Sequence, residues 1–219
     1  MAIQTDQTDQ TDPPPAAVDG RRLRGERTRR TILEAAARLA SVEGLEGLSI
    51  GRLAAHLGIS KSGLYAHFES KEELQLAAIR MASEMYERDV VGPALEAQPG
   101  VGQLIGFVDA FFDYVQHGPF PGGCFFIASY LDPANLRGRV RALLAEEQQG
   151  LLDFMADCVR TAQELGEMAT RRPPEEIAFE VDAILAGADV NYMLFDAPRY
   201  LELGRASVRR LLDSERPAA

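Results

Sequence analysis

The stretch Ser49 to Lys71, SIGRLAAHLGISKSGLYAHFESK, constrains this chain most, because two helix-length segments in it flank one tight break at Leu57-Gly58-Ile59-Ser60. Ile50, Leu53, Ala54 and Leu57 recur at i, i+3, i+4 and i+7, so they share one apolar face of a helix that starts after Ser49 as its N-cap. Gly58 suits the left-handed residue just past that helix. Ser60 is placed to cap a second helix, Lys61 to Ala66, which turns Leu64 inward and leaves Lys61, Ser62 and Tyr65 outward. Two short helices joined so closely form a helix-turn-helix with a surface that attracts phosphate.

Ser70-Lys71-Glu72-Glu73 reads as a capping box, Ser70 being the N-cap and Glu73 standing three positions on, so a third helix begins at once. The run Gly63-Leu64-Tyr65-x-His67-Phe68-x-Ser70-Lys71 closely resembles the signature of TetR-family transcriptional regulators, from about Thr28 to Ile79. A lone helix-turn-helix pattern arises often by chance, whereas this ordered combination is much harder to reach. The resemblance implies that Tyr65 and Lys71 touch phosphate. It also implies that the helix after Ser70 links a DNA-binding to a ligand-binding domain, and that two C-terminal helices of each protomer form a four-helix dimer interface.

A formal net charge of -10 over 219 residues would ordinarily argue against a nucleic-acid partner, but the charge is unevenly spread. Residues 21–80 hold 11 Lys or Arg against 7 acids, a local +4, which leaves -14 on the rest. Both lysines of the chain, Lys61 and Lys71, lie in that basic region. A basic module set in an acidic chain is the distribution expected when one part meets phosphate and the other does not.

Arg21, Arg22, Arg24, Arg27, Arg29 and Arg30 lead into a helix whose apolar positions run from Ile32 through Ala35, Ala36, Leu39 and Ala40, with Gly44 and Gly47 as its exit. The arginines are either a clamp on backbone phosphates or the minor groove, or a solvated leader. Thr28 sits at a first-turn position that suits a phosphate contact. Lys61 and Ser62, near the N-terminus of the second helix, are candidates for base edges. Tyr65 and Lys71 suit the flanking backbone, and Ser49 and Ser60 stand at the helix starts beside them. His67 is open between a DNA contact and a structural hydrogen bond within the motif. Leu64 and Phe68 read as core.

The tract 1–20, with its TDQ repeats and Pro13-Pro14-Pro15, buries too little apolar surface to fold and reads as a disordered tail, as does 215–219. The remaining divisions are a helix-turn-helix domain at 21–70, a connecting helix at 71–97 that Gly92-Pro93 interrupts after about Val91, and a helical domain at 98–214. In that last domain, Leu104, Val108, Phe111, Phe112 and Val115 mark one helix, ended near His117-Gly118-Pro119. Gly-Cys-Phe-Phe at 123–126 resembles a loop-to-helix entry in one branch of the TetR family. A long helix from Val140 reaches about Leu165, and two more follow, on either side of the break at Ala197-Pro198. The fold class is therefore all-α.

Such a bundle has room for a small-molecule effector. Candidate lining residues are Phe107, Phe111, Tyr114, Phe126, Phe154 and, with hydroxyls to orient a ligand, Tyr130 and Tyr192. Cys124 joins them, either as a buried structural thiol or as an accessible sensor of electrophiles, since two glycines precede it. Cys124 and His117 make a poor nucleophile and base, straddling a Gly-Pro break without an orienting group, so no catalytic site is expected. Three histidines and two distant cysteines show no zinc spacing, so neither metal nor cofactor is expected. Without a secretory leader or a membrane-length apolar run, the expectation is a soluble cytoplasmic protein. Small residues at Ala186, Gly187 and Ala188 suit close helix approach between protomers. Together these features point to a dimeric repressor that binds a near-palindromic DNA operator and is released by an effector.

Overall fold

The computed structural model describes residues 20–130 and 136–217, and these are built from helices and turns alone. The tail expected at 1–20 lies outside the described residues but for Gly20. Helix α1, Gly20–Gly47, starts well ahead of Ile32, so Arg24, Arg27, Arg29 and Arg30 are helical and exposed. Ile32, Leu33, Ala36, Ala37 and Ala40 make its buried stripe, while a kink at Gly44 folds Leu45 and Leu48 back into the core.

Helices α2, Ile50–Leu57, and α3, Lys61–Tyr65, follow, joined by Gly58 at φ 66° and ψ 28°. A side chain at Gly58 would oppose that left-handed geometry, which the turn needs in order to bring Leu53 and Leu64 into one core. Helix α4, Lys71–Tyr86, packs across α1 and then runs on through a π-helical turn, Glu87–Val91, into the short α5, Gly92–Leu95. Gly92-Pro93 therefore does not end the path as expected. The wide turn sends the Gly92 N–H to the Glu87 carbonyl, five residues back, and Pro93 falls in the first turn of α5, where a missing N–H costs nothing.

Beyond it, α6 (Val101–His117), α7 (Phe125–Tyr130), α8 (Gly138–Glu164), α9 (Pro174–Phe195) and α10 (Arg199–Ser214) form a bundle. The chief packings are α8 on α9 and α9 on α10, with α6 against α10 and α4 against α8. Phe107, Phe111, Phe112 and Phe125 are fully buried at its centre. Arg205 binds Asp109 at 2.5 Å and Asp113 at 2.6 Å, tying α10 to α6. Gly204 is squeezed so closely that a Cβ there would overlap Phe112 and Ala188. Ala188 thus serves contact within the chain, while Gly187 faces outward with open space around it.

Residues 215–217, expected as tail, instead close the bundle. Glu215 accepts from Arg172 at 2.8 Å, and its carbonyl accepts the Ala169 N–H at 2.8 Å. No helix among the described residues is long and apolar enough to cross a membrane.

Candidate nucleic-acid interface and ligand cleft

The three helix starts of the N-terminal unit are each held by a serine. Ser49 accepts the Arg52 N–H at 3.3 Å, Ser60 the Gly63 N–H at 3.1 Å and Ser70 the Glu73 N–H at 3.1 Å. Glu73 reaches back to the Glu69 N–H at 2.7 Å, completing the third cap. Below them Leu53, Leu64 and Phe68 are buried, and Arg29 lies over the Phe68 ring at 5.4 Å. The core therefore fixes which face of α3 looks outward. Lys61, Ser62 and Tyr65 stand on it, Tyr65 58% exposed.

The expected contacts differ in how free they are. A serine hydroxyl that accepts a cap bond still has its own proton to donate, so Ser49 and Ser60 remain able to bind phosphate. Ser62 lies 3.1 Å from Ser60 through their hydroxyls. The Lys61 stem runs over Gly51, where a Cβ would sit 3.2 Å from Cε. Thr28 spends its proton on the Arg24 carbonyl at 2.9 Å and must break that bond to donate to DNA. Lys71 is already engaged within the chain. Its Nζ binds the Glu46 carbonyl at 2.7 Å and carboxylate at 2.9 Å, fastening α4 to the end of α1, with one N–H left over. His67 is half-buried, 6.3 Å from the Phe68 ring, and forms no side-chain hydrogen bond among the described residues, which leaves the structural-bond alternative without a partner there.

The C-terminal bundle opens a cleft of about 430 Å³ between the end of α4 and α8. That lies within the roughly 300–1,000 Å³ typical of small-molecule sites. Of the candidate lining residues, Phe126 and Phe154 border this cleft. Phe111, Cys124 and Tyr130 line a narrow space behind, which shares Tyr86, Phe126 and Leu151 with the cleft. Three expected residues go elsewhere. Phe107 is core, its ring 5.6 Å from Phe154. Tyr114 is packed 5.4 Å from Tyr86 and 5.8 Å from Phe120, and Tyr192 lies by Pro121 on another side of the bundle.

Sequence reading missed Tyr86, Glu87, Glu146, Glu147 and Gln148 in the lining. The only available signal was the position of Tyr86 and Glu87 at the end of the linking helix.

Cys124 is buried, and burial first, with nearby Asp189 adding to it, pushes its thiol up to about 12. Burial of this kind favours the structural thiol over the accessible sensor. The glycines before it do not open the site, because Gly122 packs on Ser41 and Gly123 on Asp189. Cys124 and Cys158 are both free thiols.

Residues 32–78 match the family model described as bacterial regulatory proteins, tetR family, and residues 100–208 match the tetracyclin repressor-like C-terminal domain. An HTH-type transcriptional activator, FasR of Mycolicibacterium smegmatis, is 31% identical over 98 residues, which are 45% of this chain and 45% of that protein. The match thus spans less than half of this curated relative's length. A TetR transcriptional regulator from Chloroflexus aurantiacus superposes with a TM-score of 0.82 and 25% identity, covering 90% of this chain and 100% of that one. AibR, solved in complex with isovaleryl coenzyme A and operator DNA, has a TM-score of 0.68 at 24% identity, covering 84% and 97% of the two chains.

Proposed function

Since the chain belongs to the TetR family of DNA-binding transcriptional regulators, we propose that it acts as a homodimeric repressor released from its operator by a small-molecule effector. The observation that carries this reading is α4, which begins at the DNA-facing unit with Lys71 and ends at the cleft with Tyr86 and Glu87. Its sixteen residues span about 24 Å at about 1.5 Å per residue, so a ligand that shifts one end tilts the other as a rigid rod.

Two recognition helices on a dimer must match successive major grooves, about 34–36 Å apart. In this reading Lys61 and Ser62 meet bases, while Tyr65, with Thr28, Ser49, Ser60, His67 and the remaining N–H of Lys71, meets the backbone. The effector must bind the two spacings unequally, each tenfold preference shifting their balance by about 1.4 kcal/mol. The domain divisions follow: DNA-facing through about residue 70, connecting to about 97, effector-binding and dimerising beyond.

The second protomer covers an apolar surface that α9 and α10 leave open, with Phe179 65% and Leu194 71% exposed on α9 and Leu203 55% exposed on α10. The name of the M. smegmatis relative, an activator, favours a second reading in which the same DNA binding recruits transcription instead. Selection of bound fragments from genomic DNA, followed by a reporter fused to the selected site with and without the protein, decides between them. Lowered output supports repression, raised output supports activation, and no selective enrichment of any fragment removes both.

A further inference from the structure

We infer that the cleft between α4 and α8 takes an organic cation with an aromatic or branched apolar body, its charge at the rim and its body on the rings below. The inference rests on the reading of this bundle as the effector-binding part. Glu87 comes from the π turn, Glu146 and Glu147 from α8, and among the described residues no Lys, Arg or His joins them in the lining. None of the three carboxylates forms an ion pair among the described residues. A carboxylate or phosphate ligand would therefore meet three negative groups and no counter-charge, whereas an ammonium or phosphonium meets three partners.

The floor adds a second, independent preference. Tyr86 and Phe126 stand edge to face, 5.6 Å apart at 87°, and Phe154 completes an aromatic wall beside Leu143 and Leu151. Such rings bind the apolar body and present the negative faces of their π systems to a cation. Gln148 in the same lining has its Oε1 buried without a hydrogen-bond partner, while its Nε2 donates to Asp182 at 3.0 Å. The unpartnered atom in this lining is thus an acceptor, which an anion could not satisfy. Asp182, which lines the space behind the floor, has no cationic side chain paired with it among the described residues and extends the same field inward. Burial raises its carboxyl above the usual range, against the Gln148 bond that lowers it.

Tetraphenylphosphonium and tetraphenylborate share a shape and differ in the sign of charge, so equilibrium dialysis of the full chain against each isolates the charge preference. The expected result is phosphonium binding at least about tenfold tighter than borate. The pair Glu146→Gln with Glu147→Gln should weaken the phosphonium by about tenfold and leave the borate unchanged or stronger. A second variant, Phe154→Ala, should weaken phosphonium binding without removing its preference over borate.

Borate binding as tight as phosphonium, no phosphonium binding, or indifference to the double substitution overturns the inference. Anisotropy with a selected DNA fragment separates it from the regulatory reading. If that fragment still binds and the phosphonium does not, the cation site alone falls. If the phosphonium binds with the stated charge dependence yet leaves DNA affinity unmoved, the cation site stands and release by effector falls.

Discussion

The backbone N–H of Cys124 donates to Oδ1 of Asp189 at 3.2 Å, joining the entry of α7 to the middle of α9. Asp189 is only 2% exposed, and Gly123 at φ 80° lies against it so closely that a Cβ would collide with the carboxylate. One residue earlier, Gly122 rests on the Ser41 carbonyl of α1. Helix α1, the entry of α7, and α9 thus meet at one loop.

Asp189 makes the stability of the protein depend on pH. Burial pushes its carboxyl from 3.8 up to about 7, although the Cys124 N–H lowers it. A folded-state value above the unfolded one means that the native chain holds a proton which the unfolded chain releases. The stabilisation from this group is complete below about pH 3.8 and lost as the pH rises through about 7. Asp189→Asn keeps an acceptor for Cys124 and does not ionise. Its melting temperature, measured against the wild type at one protein concentration, should gain more at pH 8 than at pH 5. An equal difference at both pH values would show that Asp189 does not titrate in this window.

Gly122→Ala should destabilise the chain by about 1–3 kcal/mol, since its methyl group would overlap the Ser41 carbonyl and neither backbone has space to yield. Gly150→Ala, on α8, provides the comparison. It sits in mid-helix with nothing within 4 Å of a new Cβ, so by helix propensity it should stabilise the protein by up to about 1 kcal/mol. Urea denaturation of both variants checks the order, and a Gly122→Ala protein as stable as wild type would mean that α1 does not rest on this loop.

Tyr65→Phe removes one hydroxyl from an exposed ring and nothing from the core. Operator affinity should fall by about 3- to 10-fold with the melting temperature unchanged, the worth of an ordinary hydrogen bond of about 0.5–1.5 kcal/mol. Lys71→Ala should cost more, because Lys71 also holds Glu46 at 2.9 Å. Its loss should lower the salt dependence of binding by roughly one counterion per phosphate contact. Leu64→Ala is different in kind, since it empties a fully buried site and should cost about 2–5 kcal/mol of stability. Anisotropy across a salt series, beside thermal melts, separates the three. Unchanged affinity of Tyr65→Phe would remove its phosphate contact.

The N-terminal unit was legible because its determinants are local. Ser49, Ser60 and Ser70 each act on an N–H three residues away, and Gly58 shapes a single turn. The cleft was not legible, because Glu87 and Glu146 meet only after α4 and α8 pack, and nothing in the local pattern distinguishes Phe154 in its wall from Phe107 in the core. The linking helix falls between these cases. Gly92-Pro93 looks like a break, and only the π turn before it explains why the path continues.

Leu194→Glu tests the dimer most directly. Leu194 is 71% exposed near the end of α9, and Phe179 at 65% lies fifteen residues earlier on the same helix, with the outward-facing Gly187 between them. Inside one chain none of these positions faces a packing partner, so a charge at Leu194 should leave helix content and melting cooperativity intact. Between two protomers it would bury two carboxylates near a symmetry axis, each costing several kcal/mol unless it is protonated or paired. Sedimentation should therefore show a dimer for the wild type and a monomer for Leu194→Glu at the same concentration. Affinity for a near-palindromic site should fall with it, since two half-sites then bind without the advantage of linkage. A variant that remains dimeric would move the interface away from α9.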